Sequence, residues 1–186
     1  MSGGLEVFVA NEQDDLPVEE DLFYALAKAV AEQEYRTRPA ELSVIFVDRD
    51  VIAAMNLEFR AVSGPTDVLS FVIEEEEPPY GGSPDSRRPA AASTVLERPS
   101  LLGDIVICPS VAASHAPEHR GDRGHDGTLE DELALLLVHG ILHLKGMDHG
   151  VDAEAEAMEA REDALLEQFY HPLKALWRAR GQEQAD

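Results

Sequence analysis

The sequence predicts a single α/β domain of the α+β kind: about four strands in a mixed sheet, five or six helices, and a central helix that binds metal. Three observations lead there. Short runs of apolar or β-branched residues alternate with longer segments whose apolar residues recur every three or four positions, the periods of strand and helix. The chain's 186 residues, 44% of them hydrophobic, suffice for one domain with a core. One helical segment, Leu129 to Leu144, is apolar nearly all round yet carries two histidines, so it is expected at the centre, covered on most sides.

The elements follow in order. Leu5 to Val9 alternates apolar residues at 5, 7 and 9 and reads as a short strand, ended by Asp14 to Pro17. Val18 to Gln33 places Leu22, Phe23, Leu26, Ala29 and Val30 on one helical face. Glu41 to Val47 is β-branched and apolar, a buried strand. Asp48 to Phe59 returns to helix with Val51, Ile52, Met55, Leu57 and Phe59 as its apolar surface. The Gly and Pro of SGPTD, Ser63 to Asp67, make a turn before the strand Val68 to Ile73.

Residues 74–100 interrupt this rhythm. Proline, charge and small residues dominate, predicting a flexible surface loop within one domain spanning 1–186. Its Arg87 and Arg88 are read as part of a solvated insertion, with contact to an anionic partner as the alternative. A strand at Gly103 to Pro109 and a short helix from Ser110 to His115 resume the fold. Thr128 and Asp131 form a capping pair that starts the histidine helix. Asp152 is expected to cap a last long helix, with Met158, Leu165, Leu166 and Phe169 in the core, and Pro172 to break it before a short terminal helix carrying Leu173, Leu176 and Trp177.

Charge and cysteine usage narrow the function. A net charge of -22 opposes broad, nonspecific binding to phosphates, which depends on clustered lysine and arginine. Part of it is segregated: Asp152, Glu156, Glu159 and Asp163 read as a solvated helix face. The single cysteine, Cys108, forms no disulfide within the chain and suits a reducing cytosol. The opening residues lack a secretion signal and no apolar segment spans a bilayer, so a soluble, cytoplasmic protein is expected.

The chemistry concentrates in HGILHLKGMDH, residues 139–149. His139 and His143 sit one helical turn apart on one face, Gly146 stops the helix, and His149 returns from beyond it as a third ligand. The spacing is that of the metzincin zinc site except that Gly140 replaces the glutamate that serves there as general base. Three imidazoles with an open fourth position describe a catalytic zinc site, able to bring bound water to a pKa of about 7. The competing reading is core or surface histidines. Asp148 orients a ligand histidine or is a plain turn residue; the sequence leaves both open. A second triplet, His115, His119 and His125, repeats the spacing, but Pro117, Gly121 and Gly124 keep it off a common helix face. These are expected to be adventitious surface histidines rather than a second metal site.

Three blocks, FRAVSGPTDVLSF (59–71), LGDIVI (102–107) and HGILHLKGMDH (139–149), together resemble the YbeY family of bacterial endoribonucleases, which act in ribosomal RNA maturation. The likeness covers roughly residues 40–170. It implies a zinc-dependent, single-strand-specific endoribonuclease working on the 3′ end of 16S rRNA and in ribosome quality control, with one Zn2+ per chain on His139, His143 and His149. It also implies a functional arginine at Arg60, which the sequence alone reads as an ordinary helix-end residue. Single-stranded RNA, the ribosomal subunit and ribosome-associated proteins are the implied partners. Phe59 stands where the family often has tyrosine, Val72 where it often has proline, and the loop at 74–100 is long. Two rival functions are a metal-dependent peptidase or amidohydrolase, which the missing glutamate disfavours, and a noncatalytic ribosome-binding factor whose metal only staples the fold.

Overall fold

The computed structural model describes residues 4–35, 40–73, 100–122, 124–148 and 150–183. Four strands, β1 (Leu5–Asn11), β2 (Ala40–Phe46), β3 (Val68–Val72) and β4 (Ser100–Ile107), form a sheet of order β1-β2-β4-β3. β1, β2 and β4 are parallel, and β3 runs antiparallel along β4 at one edge. The expected loop at 74–100 lies outside the described residues except for Ser100, the first residue of β4; Arg87 and Arg88 lie outside with it.

Alternation along each strand sends side chains to opposite faces, and each face has its own core. Leu42, Val44, Phe46, Ile105 and Ile107 pack against α1 (Glu20–Glu34), through Leu22, Phe23, Leu26 and Val30, and against α4 (Leu129–Leu144). Val47, Leu69 and Val106 face the other way, where Ile52 of α2 (Arg49–Arg60) and Val111 of α3 (Pro109–His115) cover them. The expected α+β domain with a mixed four-stranded sheet is therefore the observed one. α4 is indeed central, with Leu133, Leu137, Val138, Ile141 and Leu142 fully buried.

The C-terminal helices depart from expectation. Val151, not Asp152, occupies the cap of α5 (Asp152–Leu165) and makes no side-chain cap bond; Asp152 lies inside the first turn, where its negative charge interacts favourably with the positive end of the helix dipole. Pro172 does not break the chain's helical course. A π turn at Leu166–Tyr170 leads directly into α6 (His171–Glu183), and Pro172 is the second residue of α6, directly after that turn. Three of the four acids of α5, Asp152, Glu156 and Glu159, are exposed as expected, Glu159 at the rim of a cavity, whereas Asp163 is half-buried. No helix among the described residues is long and apolar enough to cross a membrane.

Candidate metal centre

The N-terminus of α4 is fixed first. Thr128 accepts a hydrogen bond from the Asp131 amide at 3.3 Å, half of the expected capping pair. Asp131 does not return the bond. Its buried carboxylate instead accepts from the Asp126 amide (2.7 Å), the Tyr170 hydroxyl (2.6 Å) and Lys174 Nζ (2.5 Å), tying α4 to α6. Burial pushes the Asp131 pKa up, but Lys174 and Tyr170 hold it below its ordinary value.

The C-terminus of α4 builds the candidate site. Gly146 takes φ 89°, its amide reaches the His143 carbonyl at 2.9 Å, and the Met147 amide reaches the Leu142 carbonyl at 3.0 Å. This is a Schellman stop, and the left-handed residue it requires explains the glycine. The reversal brings the Met147 carbonyl onto His143, which donates to it from Nδ1 at 2.9 Å. One turn earlier, His139 donates from Nδ1 to Glu162 of α5 at 2.7 Å. The tautomers follow from these acceptor-only partners. With both Nδ1 protons committed, neutral rings carry lone pairs on their two Nε2 atoms, which face each other at 2.9 Å.

Two opposed lone pairs repel unless a cation sits against them. Nitrogens sharing a tetrahedral zinc stand roughly 3.3 Å apart, given Zn–N bonds of about 2.0–2.1 Å, so little adjustment separates the observed pair from a ligating one. An imidazole held through its other nitrogen by a carboxylate or a carbonyl is also the usual setting of a metal-bound histidine. The residues present thus fit the expected metal. His149 lies outside the described residues, and Asp148 beside it is exposed.

Glu162 was not among the sequence candidates, although a signal existed. It shares the helical face of Met158, Leu165 and Leu166, all buried, and a carboxylate on an apolar stripe requires a partner. Gly140, where a metzincin-type enzyme carries its base, packs against the sheet. A Cβ there would meet Ile105 at 2.9 Å and Ser70 Oγ at 3.1 Å, so no glutamate fits. Arg60 ends α2 and is exposed. Its helix covers the sheet face opposite α4, and among the described residues it does not line the cavity at the histidines. That cavity, about 600 Å³, takes in His139 and Glu162 together with Asp122, Glu159, Tyr170 and His171.

The second histidine triplet needs a correction. His115 turns to Asp67, with Nδ1 at 3.2 Å from its carboxylate. His119 and His125 are not adventitious surface residues: the turns between them, rather than a helix face, bring both to Glu132 of α4. His119 Nδ1 lies 2.7 Å and His125 Nε2 3.2 Å from the same carboxylate oxygen. Glycines that rule out a continuous helix also supply the turns that fold the pair together, an effect invisible to a spacing argument.

The comparisons with known proteins bear on what this site does. A family model described as endoribonuclease YbeY matches residues 8–170. The chain belongs to the YbeY endoribonuclease family. Similar relatives include the Endoribonuclease YbeY of Nocardia farcinica, 42% identical over 91% of this chain and 83% of the relative. That of Rhodococcus erythropolis is 38% identical over 92% and 86%. A solution structure from Thermotoga maritima, 26% identical, covers 95% of both chains with a TM-score of 0.53. Membership in the YbeY family accounts for the three sequence blocks and marks the chain as a hydrolytic endoribonuclease.

Proposed function

We propose that the protein is a zinc-dependent endoribonuclease specific for single-stranded RNA, acting in the cytoplasm on the 3′ end of 16S rRNA during maturation and in ribosome quality control. His139, His143 and His149 hold one Zn2+, and the ribosomal subunit or proteins bound to it deliver the substrate. The observation that carries the metal reading is the pair of opposed Nε2 atoms whose Nδ1 partners are both acceptors. Zinc held there supplies a Lewis acid at the phosphate.

The chain's own groups do the rest. Glu162 and the Met147 carbonyl keep the ring protons on Nδ1 and hold both imidazoles in one orientation. Arg60, assigned through the family resemblance and not through its place outside the histidine cavity, would offer from the end of α2 a planar fork of N–H donors to the non-bridging phosphate oxygens, offsetting the charge that develops as water or the RNA 2′-hydroxyl attacks phosphorus. Gly140 supports a phosphodiesterase over a peptidase, because the close approach of Ile105 and Ser70 excludes a base there.

The test is cleavage of single-stranded and duplex RNA, and of a 16S precursor, by zinc-loaded, chelated and zinc-restored protein. Cleavage of the single strand that vanishes on chelation and returns with zinc is expected. Arg60→Ala should retain zinc and lose about 100- to 1000-fold in rate, the range for removing one charge-stabilising donor. Unchanged cleavage after chelation would overturn the metal role, and an unchanged rate in Arg60→Ala that of the arginine.

A further inference from the structure

We infer that His119, His125 and Glu132 form a second seat for a zinc-class divalent cation, distinct from the His139–His143 pair and independent of the nuclease reading. The three side chains bring one ligand atom each to within 4.8 Å of one another. Glu132 sits at the focus, its carboxylate side chain 1% exposed, with His119 Nδ1 at 2.7 Å and His125 Nε2 at 3.2 Å from Oε2.

A second observation points to a ligand. The His125 side chain is 8% exposed. Despite its nearness to Glu132, its Nε2 has no hydrogen-bond partner of acceptable geometry among the described residues. A buried ring nitrogen left in this way is rare in a folded protein and calls for an explanation, a bound ion among them. Two imidazoles and a carboxylate are the donor set that suits zinc over harder cations, and three protein ligands leave a fourth position open. Because His119 and His125 line the cavity that His139 also lines, that position opens into it.

Ligation through Nε2 places the ring proton on Nδ1, which now accepts from the Gly127 amide at 2.9 Å. Loading therefore turns this amide away from the ring, a local change in a turn that is only half-buried.

Glu132, His139 and His143 share one stripe of α4, at i, i+7 and i+11. Seven residues of helix separate the two seats by roughly 10 Å, well beyond the roughly 3.5–4 Å of a two-metal clamp. They are separate mononuclear sites facing one acidic cavity, where Asp122, Glu159 and Glu162 carry charge that a second dication offsets.

The experiment is zinc stoichiometry of the full chain after equilibration with a competing chelator, with thermal melts on the same samples. His119→Ala removes a side chain that is 41% exposed and leaves no core void, and Glu132→Gln conserves volume. The wild type is expected to hold two equivalents, each of these variants one, and His143→Ala one. The inference is overturned if folded His119→Ala holds as much zinc as the wild type, or if all zinc is lost in His143→Ala. Zinc lost only in His119→Ala and Glu132→Gln, and not in His143→Ala, would support this seat while counting against the first one.

Discussion

At the scale of single residues, Glu162 makes the proposed zinc site more than a spacing of histidines. Removing the negative charge while keeping the shape, Glu162→Gln, weakens the hold on the His139 Nδ1 proton. Loss of such a supporting carboxylate typically lowers metal affinity about 10- to 100-fold. Zinc affinity measured by competition should fall by that amount while the melting temperature of the metal-free protein stays close to wild type; an unchanged affinity would remove Glu162 from the site. His139 and His143 were legible because helical spacing in an apolar segment fixes their common face. Glu162 and Glu132 were not, because each meets its histidine across an interface between elements, and a sequence shows which face a residue occupies but not what lies opposite. Arg60 was named through family resemblance, and its exposed position at the end of α2 adds no geometric support of its own.

At the scale of elements, α4 is shaped as much by what it excludes as by what it carries. Gly140→Ala gains helix propensity of about 0.5–1 kcal/mol. It also forces a Cβ to 2.9 Å from Ile105, a residue with no exposed surface, and overpacking of that kind costs about 1–3 kcal/mol. The steric term wins, so chemical denaturation should show a net loss of about 1 kcal/mol; a stabilised variant would mean that the helix stands farther from the sheet. The start and stop of α4 could be read from Thr128 and Gly146 because cap chemistry is local. Pro172 misled because the helical course carries on through the π turn directly before it, which the sequence does not announce.

At the scale of the whole molecule, one buried carboxylate joins three helices. Glu34 of α1, with its side chain 1% exposed, accepts from Lys145 at the end of α4 and from Arg161 of α5. Burial alone would raise its pKa, but the hydrogen bonds and charges of Lys145 and Arg161 bring it below the ordinary 4.5. A depressed folded pKa means that stability is present above the unfolded value and is lost as pH falls through the folded one. Denaturation free energy should therefore drop below pH 4.5 in the wild type and do so less steeply in Glu34→Gln; parallel curves would show that the triad adds nothing. Strand and helix identities were largely legible because periodicity is local. The sheet order, with β4 inserted between β2 and β3, was not, since it is set by which faces meet.

The most direct measurement on the central claim is anomalous diffraction at the zinc edge from crystals grown with zinc. A peak about 2.0–2.1 Å from Nε2 of both His139 and His143, absent in His143→Ala, is the predicted result. Zinc-loaded crystals with no peak between those two nitrogens would contradict it.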